Sequence, residues 1–139
     1  MAPGRSAGAI DLVKLFDTDV LIEHLKGNAR ATGLLIEASS AGQASCSVLT
    51  RFELLAGMRS NERSQIRLLL DSLTNLEASV EVATRAGEWA RTYRRSHDGI
   101  SSIDYLIAAT AEVHGADLLT QNVKHFPMFS ELEPAISGV

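Results

Sequence analysis

Short apolar runs alternate with longer amphipathic stretches along this chain, and this alternation is the feature that most constrains its fold. Short apolar runs bounded by turn residues predict strands, whereas apolar residues recurring every three or four positions predict helices. Strands separated by helices need crossover connections, which make the sheet parallel and cover it with helices. An α/β fold is therefore predicted. The predicted strands are 12–16, 43–48, a brief one within 73–80, and 116–120, and the predicted helices are 20–25, 29–40, 49–58, 61–70, 81–96 and from 101 or 102 to 115.

The length and the two ends of the chain bear on its domain organisation. With 139 residues, the chain has the size of one domain that can bury a core. Residues 1–10 precede the first apolar run and are expected to form a disordered extension or to reflect an alternative start. Residues 11–139 are then the single domain, and 129–136 could supply a last edge strand.

Composition excludes several classes of protein. A single cysteine, Cys46, rules out a disulfide framework and a cysteine-rich metal site, and its apolar neighbours predict a buried side chain. No apolar run has the length of a secretion signal or a membrane span, so a cytoplasmic protein is expected. A net charge of −4 and a pI near 5.5 argue against a general nucleic-acid coat and leave room for an acidic, cation-binding cleft. Either a solvated helix face or a local basic surface could be formed by Arg85, Arg91, Arg94 and Arg95.

The first candidate for chemistry is Asp17. The stretch from Leu15 to Ile22 passes from an apolar run to acid, hydroxyl and acid, and then becomes apolar again. Ligands of open α/β sheets bind outside the carboxyl ends of the strands, so a carboxylate at such an end points into the natural site. The alternative is that Asp17 or Asp19 only caps the following helix.

Three further polar residues occupy similar positions. Glu53 lies in the first turn of the helix after the second predicted strand, Asp104 in the first turn of a later helix, and Asn122 just past the last predicted strand. Converging carboxylates near helix starts stay ionised and suit Mg²⁺, which prefers oxygen ligands. Both acids also match capping-box spacing, from Thr50 to Glu53 and from Ser101 to Asp104, in which the acid only reaches back to the cap. Spacing alone does not bring these residues together in space.

Four longer stretches contain these positions. They read LFDTDVLI at 15–22, SVLTRFELLAG at 47–57, IDYLIAATA at 103–111 and LLTQNVKHF at 118–126. Together they resemble the PIN domain, specifically the VapC-type toxins of type II toxin–antitoxin modules. The four motifs stand in the family's order and spacing, and the similarity covers nearly the whole chain from about Val13 onwards.

This resemblance implies a fold, a cofactor and a set of site residues. The fold is a three-layer α/β/α sandwich with a central, mostly parallel sheet and an acidic pocket at the strand ends. The activity is that of a magnesium- or manganese-dependent endoribonuclease. Asp17, Glu53 and Asp104 match the family's first three acids, and Asp17 and Asp104 are the expected metal ligands. Asn122 completes the expected catalytic set, although many members carry a fourth aspartate there.

A neutral amide at Asn122 implies that a second ion is held less well than the first. Asp19 could restore the missing charge, whereas Asp117 is a weaker substitute because the start of a strand is expected to be exposed. In the implied reaction, an activated water attacks an RNA phosphodiester while Glu53 positions or deprotonates that water. Two threonines, Thr18 and Thr120, are expected to hydrogen-bond the carboxylates or a phosphate. Mostly surface positions are expected for His24, His97, His114 and His125.

Partners also follow from the resemblance. It implies a cognate VapB-type antitoxin that blocks the acidic pocket with a basic side chain, a homodimer, and a toxin–antitoxin hetero-oligomer without a membrane partner. The RNA substrate, a transfer RNA or another, stays open. One alternative is a catalytically weakened PIN-fold module that binds RNA or protein, motivated by Asn122. Another is a haloacid-dehalogenase-like phosphatase, suggested by the spacing of Asp17 and Asp19 but lacking the downstream paired acids.

Overall fold

Four short parallel strands form the centre of the protein in its computed structural model, which describes residues 12–136. Their order across the sheet is β3-β2-β1-β4, and every neighbouring pair is parallel. The parallel sheet expected from the sequence is thereby confirmed, including the brief third strand. The strands are β1 (Lys14–Phe16), β2 (Ala44–Ser47), β3 (Thr74–Leu76) and β4 (Asp117–Leu119).

Six α-helices connect and cover these strands. Asp17, Asn28, Ser47, Ser79 and Ser101 cap five of them, each accepting a hydrogen bond from a backbone N–H of the first turn. Short 3₁₀ turns at Ser60–Glu62 and Val123–His125 complete the regular structure of residues 12–136. The helices are α1 (Thr18–Leu25), α2 (Ala29–Ser40), α3 (Val48–Gly57), α4 (Arg63–Ser72), α5 (Val80–Tyr93) and α6 (Ser102–His114).

Two separate apolar cores give the molecule three layers. Leu15 and Phe16 are fully buried neighbours in β1, and strand geometry sends their side chains to opposite faces of the sheet. Phe16 packs with α1 to α4, whereas Leu15 packs with α5 and α6. The predicted α/β/α sandwich is therefore confirmed. Cys46 is buried in the first core as predicted, and burial raises the pKa of its thiol to about 11.

One predicted element is absent from the described part of the chain. Residues 129–136, expected as an edge strand, form a turn followed by irregular chain, in which the Leu132 N–H donates to Phe129 O and the Ala135 N–H donates to Thr120 O. Phe129 instead packs edge-on against Trp89, with ring centroids 5.7 Å apart. Pro134 lacks the N–H that a strand would use. The predicted disordered extension, 1–10, lies outside the described residues.

The strand order determines where a ligand would bind. From β1 the chain moves to β2 and β3 on one side, and then returns to place β4 on the other side of β1. In open α/β sheets the ligand lies at such a reversal, outside the carboxyl ends of the strands. The position to inspect is therefore the end of β1 beside the end of β4. Among residues 12–136, every helix falls short of the length and apolar character that a bilayer crossing needs.

Candidate active site

Asp17 lies directly at the carboxyl end of β1 and is only 6% exposed. Its backbone N–H donates to Leu119 O at 2.9 Å, which ties the end of β1 to the end of β4. Its Oδ1 accepts from the Thr18 N–H at 2.8 Å, and its Oδ2 accepts from the Thr120 hydroxyl at 2.7 Å. Asp17 is thus both the cap of α1 and a fixed carboxylate at the predicted site, so the two interpretations coexist.

The surroundings of Asp17 disfavour its charged form. Burial is the largest cause, followed by the negative charge of Asp19, and together they raise the pKa of Asp17 to about 7. Hydrogen bonds from Thr120 and Thr18 act in the opposite direction, and the charge of Asp104 adds a smaller upward contribution. A cation beside these carboxylates would reverse the balance, because it would favour the ionised forms.

Asp19 lies beside Asp17 on the first turn of α1. Its Oδ2 accepts from the Gln121 N–H at 2.9 Å and faces the Thr120 hydroxyl at 3.4 Å. Its Oδ1 is buried and has no hydrogen-bond partner within residues 12–136. Burial raises the pKa of Asp19 as well. An acceptor oxygen that is buried without a donor is open to a bound cation.

Glu53 reaches the site from the second turn of α3 rather than the first. Ser47 caps α3 and accepts from the Thr50 N–H at 3.0 Å, so the predicted first-turn position and the Thr50–Glu53 capping box are wrong. Glu53 Oε1 instead accepts from the Thr18 hydroxyl at 2.6 Å, and that hydroxyl is also 3.0 Å from Thr50 Oγ1. The residue following Asp17 therefore joins Glu53 to the end of β1, in line with the predicted role of Thr18.

Asp104 occupies the first turn of α6, as predicted. It forms the capping box with Ser101, whose N–H donates to Asp104 Oδ2 at 3.0 Å while the Asp104 N–H donates to Ser101 Oγ at 3.1 Å. Asp104 Oδ2 also lies 3.1 Å from His125 Nδ1. The capping alternative is therefore confirmed, and it leaves Asp104 near enough to Asp17 to influence its pKa.

Asn122 and His125 lie together after β4. The Asn122 N–H donates to Thr120 Oγ1 at 3.0 Å, and Asn122 Nδ2 is 3.3 Å from His125 Nδ1. That ring nitrogen carries either a hydrogen or a lone pair, so donation to Asp104 and acceptance from Asn122 are alternatives. The expectation of a surface role for His125 missed this contact. The i,i+3 spacing from Asn122 was the available signal, because such residues eclipse one another in a 3₁₀ turn.

A comparison with models of known protein families identifies the family of this chain. The model of the PIN domain family matches residues 14–129. The chain is a member of the PIN domain family. The resemblance stated from the four motifs is thereby confirmed, and this PIN domain includes every one of the four predicted site residues.

Individual relatives agree with the family match. This PIN domain is 46% identical over 123 residues to Ribonuclease VapC19 of Mycobacterium tuberculosis, covering 88% of this chain and 98% of that protein. It is 48% identical over 120 residues to Ribonuclease VapC10 of the same species, covering 86% and 90%. A solved toxin-antitoxin complex from Klebsiella pneumoniae is similar in structure, with a TM-score of 0.72, 25% identity and coverage of 88% and 98%.

Asp117 lies away from these site residues. It begins β4, at the opposite end of the strand from Thr120, and its carboxylate is 3.0 Å from Lys14 Nζ. Its side chain is 17% exposed, so the expectation of an exposed residue is wrong, because the neighbouring strand supplies a lysine. Its position at the other end of the sheet removes it as a substitute for the charge absent at Asn122.

Oxygen atoms are the main potential metal ligands in the site of this PIN domain. Within residues 12–136, no three His, Cys, Asp or Glu side chains stand close enough to hold a metal ion jointly. Magnesium does not need such a cage, since it binds through one or two carboxylates and keeps waters and substrate phosphate as its other ligands. The buried carboxylate of Asp17, with the Asp104 carboxylate close enough to act on it and one oxygen of Asp19 without a hydrogen-bond donor in the described part of the chain, fits such an ion.

The Thr120 hydroxyl is expected to stabilise the site by its hydrogen bond to Asp17. We expect Thr120→Val to lower the free energy of unfolding by about 2 kcal/mol, because Asp17 Oδ2 would lose its buried donor. Thr110→Val is the matched control, since Thr110 is equally buried but donates to Leu106 O within α6. Urea unfolding at pH 7 measures both. Equal losses in the two variants would contradict the role given to Thr120.

Proposed function

We propose that this protein is a magnesium-dependent endoribonuclease and the toxin of a toxin–antitoxin pair. The observation that carries the proposal is that two further acids lie near Asp17 at the end of β1 in a PIN domain: Glu53 accepts from the Thr18 hydroxyl, and the charge of Asp104 acts on the Asp17 carboxylate. The relatives named as ribonucleases support the reaction class. The family match also favours this function over the haloacid-dehalogenase-like alternative.

Asp17 and Asp104 are the residues that would hold Mg²⁺, with Mn²⁺ as a substitute. Bound there, the ion would supply activation of a water and would offset the negative charge of the reacting phosphate. The protein's part is to fix the ligands beforehand. Thr120 and the Thr18 N–H orient the Asp17 carboxylate, and the Ser101 N–H orients that of Asp104.

Glu53 has the position of a general base in this proposal. Its Oε1 is fixed by the Thr18 hydroxyl at 2.6 Å, which leaves its other oxygen to accept a proton from the attacking water. Its side chain is half-buried, whereas Asp17 is almost fully buried. Two carboxylates in such different surroundings suit different tasks: Asp17 binds the ion and Glu53 moves the proton.

The proposed antitoxin follows from the same acidic cluster. Buried carboxylates with raised pKa values would be stabilised by an arginine or lysine, which forms charge-assisted hydrogen bonds with them. A similar solved structure is a toxin–antitoxin complex, which supports a VapB-type partner that covers the site. A homodimer, assembly with the antitoxin into a hetero-oligomer, and a cytoplasmic location belong to the same proposal.

Cleavage of cellular RNA tests the proposal directly. The purified chain is expected to cut total RNA in Mg²⁺, to stop in EDTA and to recover when Mn²⁺ is added. Asp104→Asn should lower the rate by about a hundredfold or more because it removes a charged ligand. Asp71→Asn is the control, since Asp71 lies on the exposed surface of α4 and forms an ion pair with Arg51. Metal-independent cleavage, or equal rates in both variants, would overturn the proposal.

Asn122 is expected to limit binding of a second ion. We expect Asn122→Asp to lower the Mg²⁺ concentration for half-maximal cleavage by about threefold to tenfold, because affinity follows the number of charged ligands. Asn61→Asp adds the same charge on an exposed 3₁₀ turn and serves as the control. Calorimetric titration without RNA should find one firmly bound ion in the wild type. Two equally tight sites there would contradict this role of Asn122.

A further inference from the structure

A cleft of about 190 Å³ lies between α5 and α6, on the side of the sheet that carries Asp104. Small residues of α5 form its floor, and α6 contributes Ser102 and Tyr105 from its first turns. Arg94, just past the end of α5, stands at its rim. The cleft therefore combines a narrow apolar floor with three polar side chains. Its small floor residues are Ala83, Ala86, Gly87 and Ala90.

Tyr105 lines this cleft, and its buried hydroxyl is an unsatisfied hydrogen-bonding group in the part of the chain that the structure describes. Its side chain is only 4% exposed, and its hydroxyl has no hydrogen-bond partner within residues 12–136. Buried polar groups nearly always have partners, so an exception calls for an explanation. A ligand that accepts the hydroxyl hydrogen would provide one.

Two charges of opposite sign act on the Tyr105 hydroxyl, and the Arg94 guanidinium has a larger effect than the Asp104 carboxylate, so an anion is favoured as that ligand. Arg94 is exposed, and its guanidinium has no hydrogen bond or ion pair among residues 12–136, whereas Arg85 on the same helix is paired with Glu112 at 2.7 Å. Arg94 is close enough to Tyr105 for its charge to act on the hydroxyl. Ser102 occupies the first position of α6, where the helix dipole and free N–H groups favour negative charge.

We propose that this cleft binds a backbone phosphate of the RNA substrate through Arg94, Ser102 and the Tyr105 hydroxyl. The inference rests on the proposed ribonuclease function and assigns to it a second point of contact with the RNA. The first turn of α6 connects the two points, because it carries Ser102 on the cleft and Asp104 in the acidic site. Of the four arginines predicted as either a solvated face or a basic surface, Arg94 takes the second role.

RNA binding by a chain that does not cleave tests this site. In the Asp17→Asn background with Mg²⁺, fluorescence anisotropy of a labelled single-stranded RNA reports the Kd over a range of salt concentrations. We expect Tyr105→Phe to raise the Kd about fivefold while keeping or raising the melting temperature, because the unpaired hydroxyl stabilises nothing in the free protein. Arg94→Gln should raise the Kd about tenfold and reduce the salt slope by about 0.7.

A control variant and a measurement with inorganic phosphate complete the test. Arg67→Gln removes the same charge from an exposed position on α4, across the sheet, and should leave the Kd nearly unchanged. If RNA binds but all three variants share one Kd, the cleft has no role in RNA binding while the proposed function stands. If inorganic phosphate stabilises the wild type but not Arg94→Gln under that outcome, the cleft takes a free anion. A wild type that neither binds nor cuts RNA overturns both proposals.

Discussion

Replacing Asp17 by asparagine is expected to stabilise the metal-free protein at pH 8 by about 2 kcal/mol and to reduce RNA cleavage by about a thousandfold. The pKa of Asp17 rises from its ordinary 3.8 to about 7, so at pH 8 the folded protein contains a buried charge that costs roughly 4 kcal/mol. Asparagine removes that charge and can still accept from the Thr18 N–H. The weaker bonding of a neutral amide to Thr120 offsets part of the gain.

The loss of activity has a different cause from the gain in stability. A neutral amide removes one of the two carboxylates proposed to hold Mg²⁺, and ligand charge contributes strongly to stabilising the reacting phosphate. Urea unfolding in EDTA measures the first effect, and a cleavage time course in Mg²⁺ measures the second. Asp71→Asn should change neither by much, because an exposed ion pair contributes little. An Asp17→Asn protein that is less stable at pH 8, or that cleaves normally, would refute the assignment.

Some parts of this site could be predicted from the sequence alone, and others could not. Asp17 could be predicted because an acid directly after an apolar strand lies at the carboxyl end of that strand, where open parallel sheets bind their ligands. Asp104 could be predicted from its place in the first turn of a helix, although its capping-box spacing from Ser101 offered a purely structural alternative. Their convergence depended on the order of the strands, which local spacing does not contain. Membership of the PIN family supplied that information.

The cap of α3 and the structure of residues 129–136 differ from the predictions, and at both places two local structures were equally favourable. Ser47 and Thr50 are both suitable caps, and the choice of Ser47 moves Glu53 into the second turn of α3, where Thr18 can reach it. Residues 129–136 contain enough apolar side chains for a strand, but Phe129 packs edge-on against Trp89 instead. In both cases a tertiary contact decided between alternatives that local preference left open.

The pH dependence of stability is expected to follow the carboxylates of the site. A group whose pKa is raised in the folded state holds its proton there at pH values where the unfolded chain has released it. Stability therefore falls as the pH rises from the unfolded pKa of 3.8 through the folded pKa of about 7. The raised pKa of Asp19 acts in the same direction. We expect the metal-free protein to lose about 4 kcal/mol between pH 4 and pH 8 from Asp17.

Magnesium should cancel much of this loss, because it binds the ionised carboxylates of the folded protein and not the unfolded chain. At a concentration about a hundred times its Kd, the ion adds about 2.7 kcal/mol to the free energy of unfolding. The rise in melting temperature on adding Mg²⁺ should therefore be large at pH 8 and small at pH 5, where Asp17 holds its proton. Asp17→Asn should flatten the pH profile and abolish most of the magnesium effect. Thermal unfolding of both proteins at these two pH values, with Mg²⁺ and with EDTA, measures this; equal magnesium effects at both would show that Asp17 does not control ion binding.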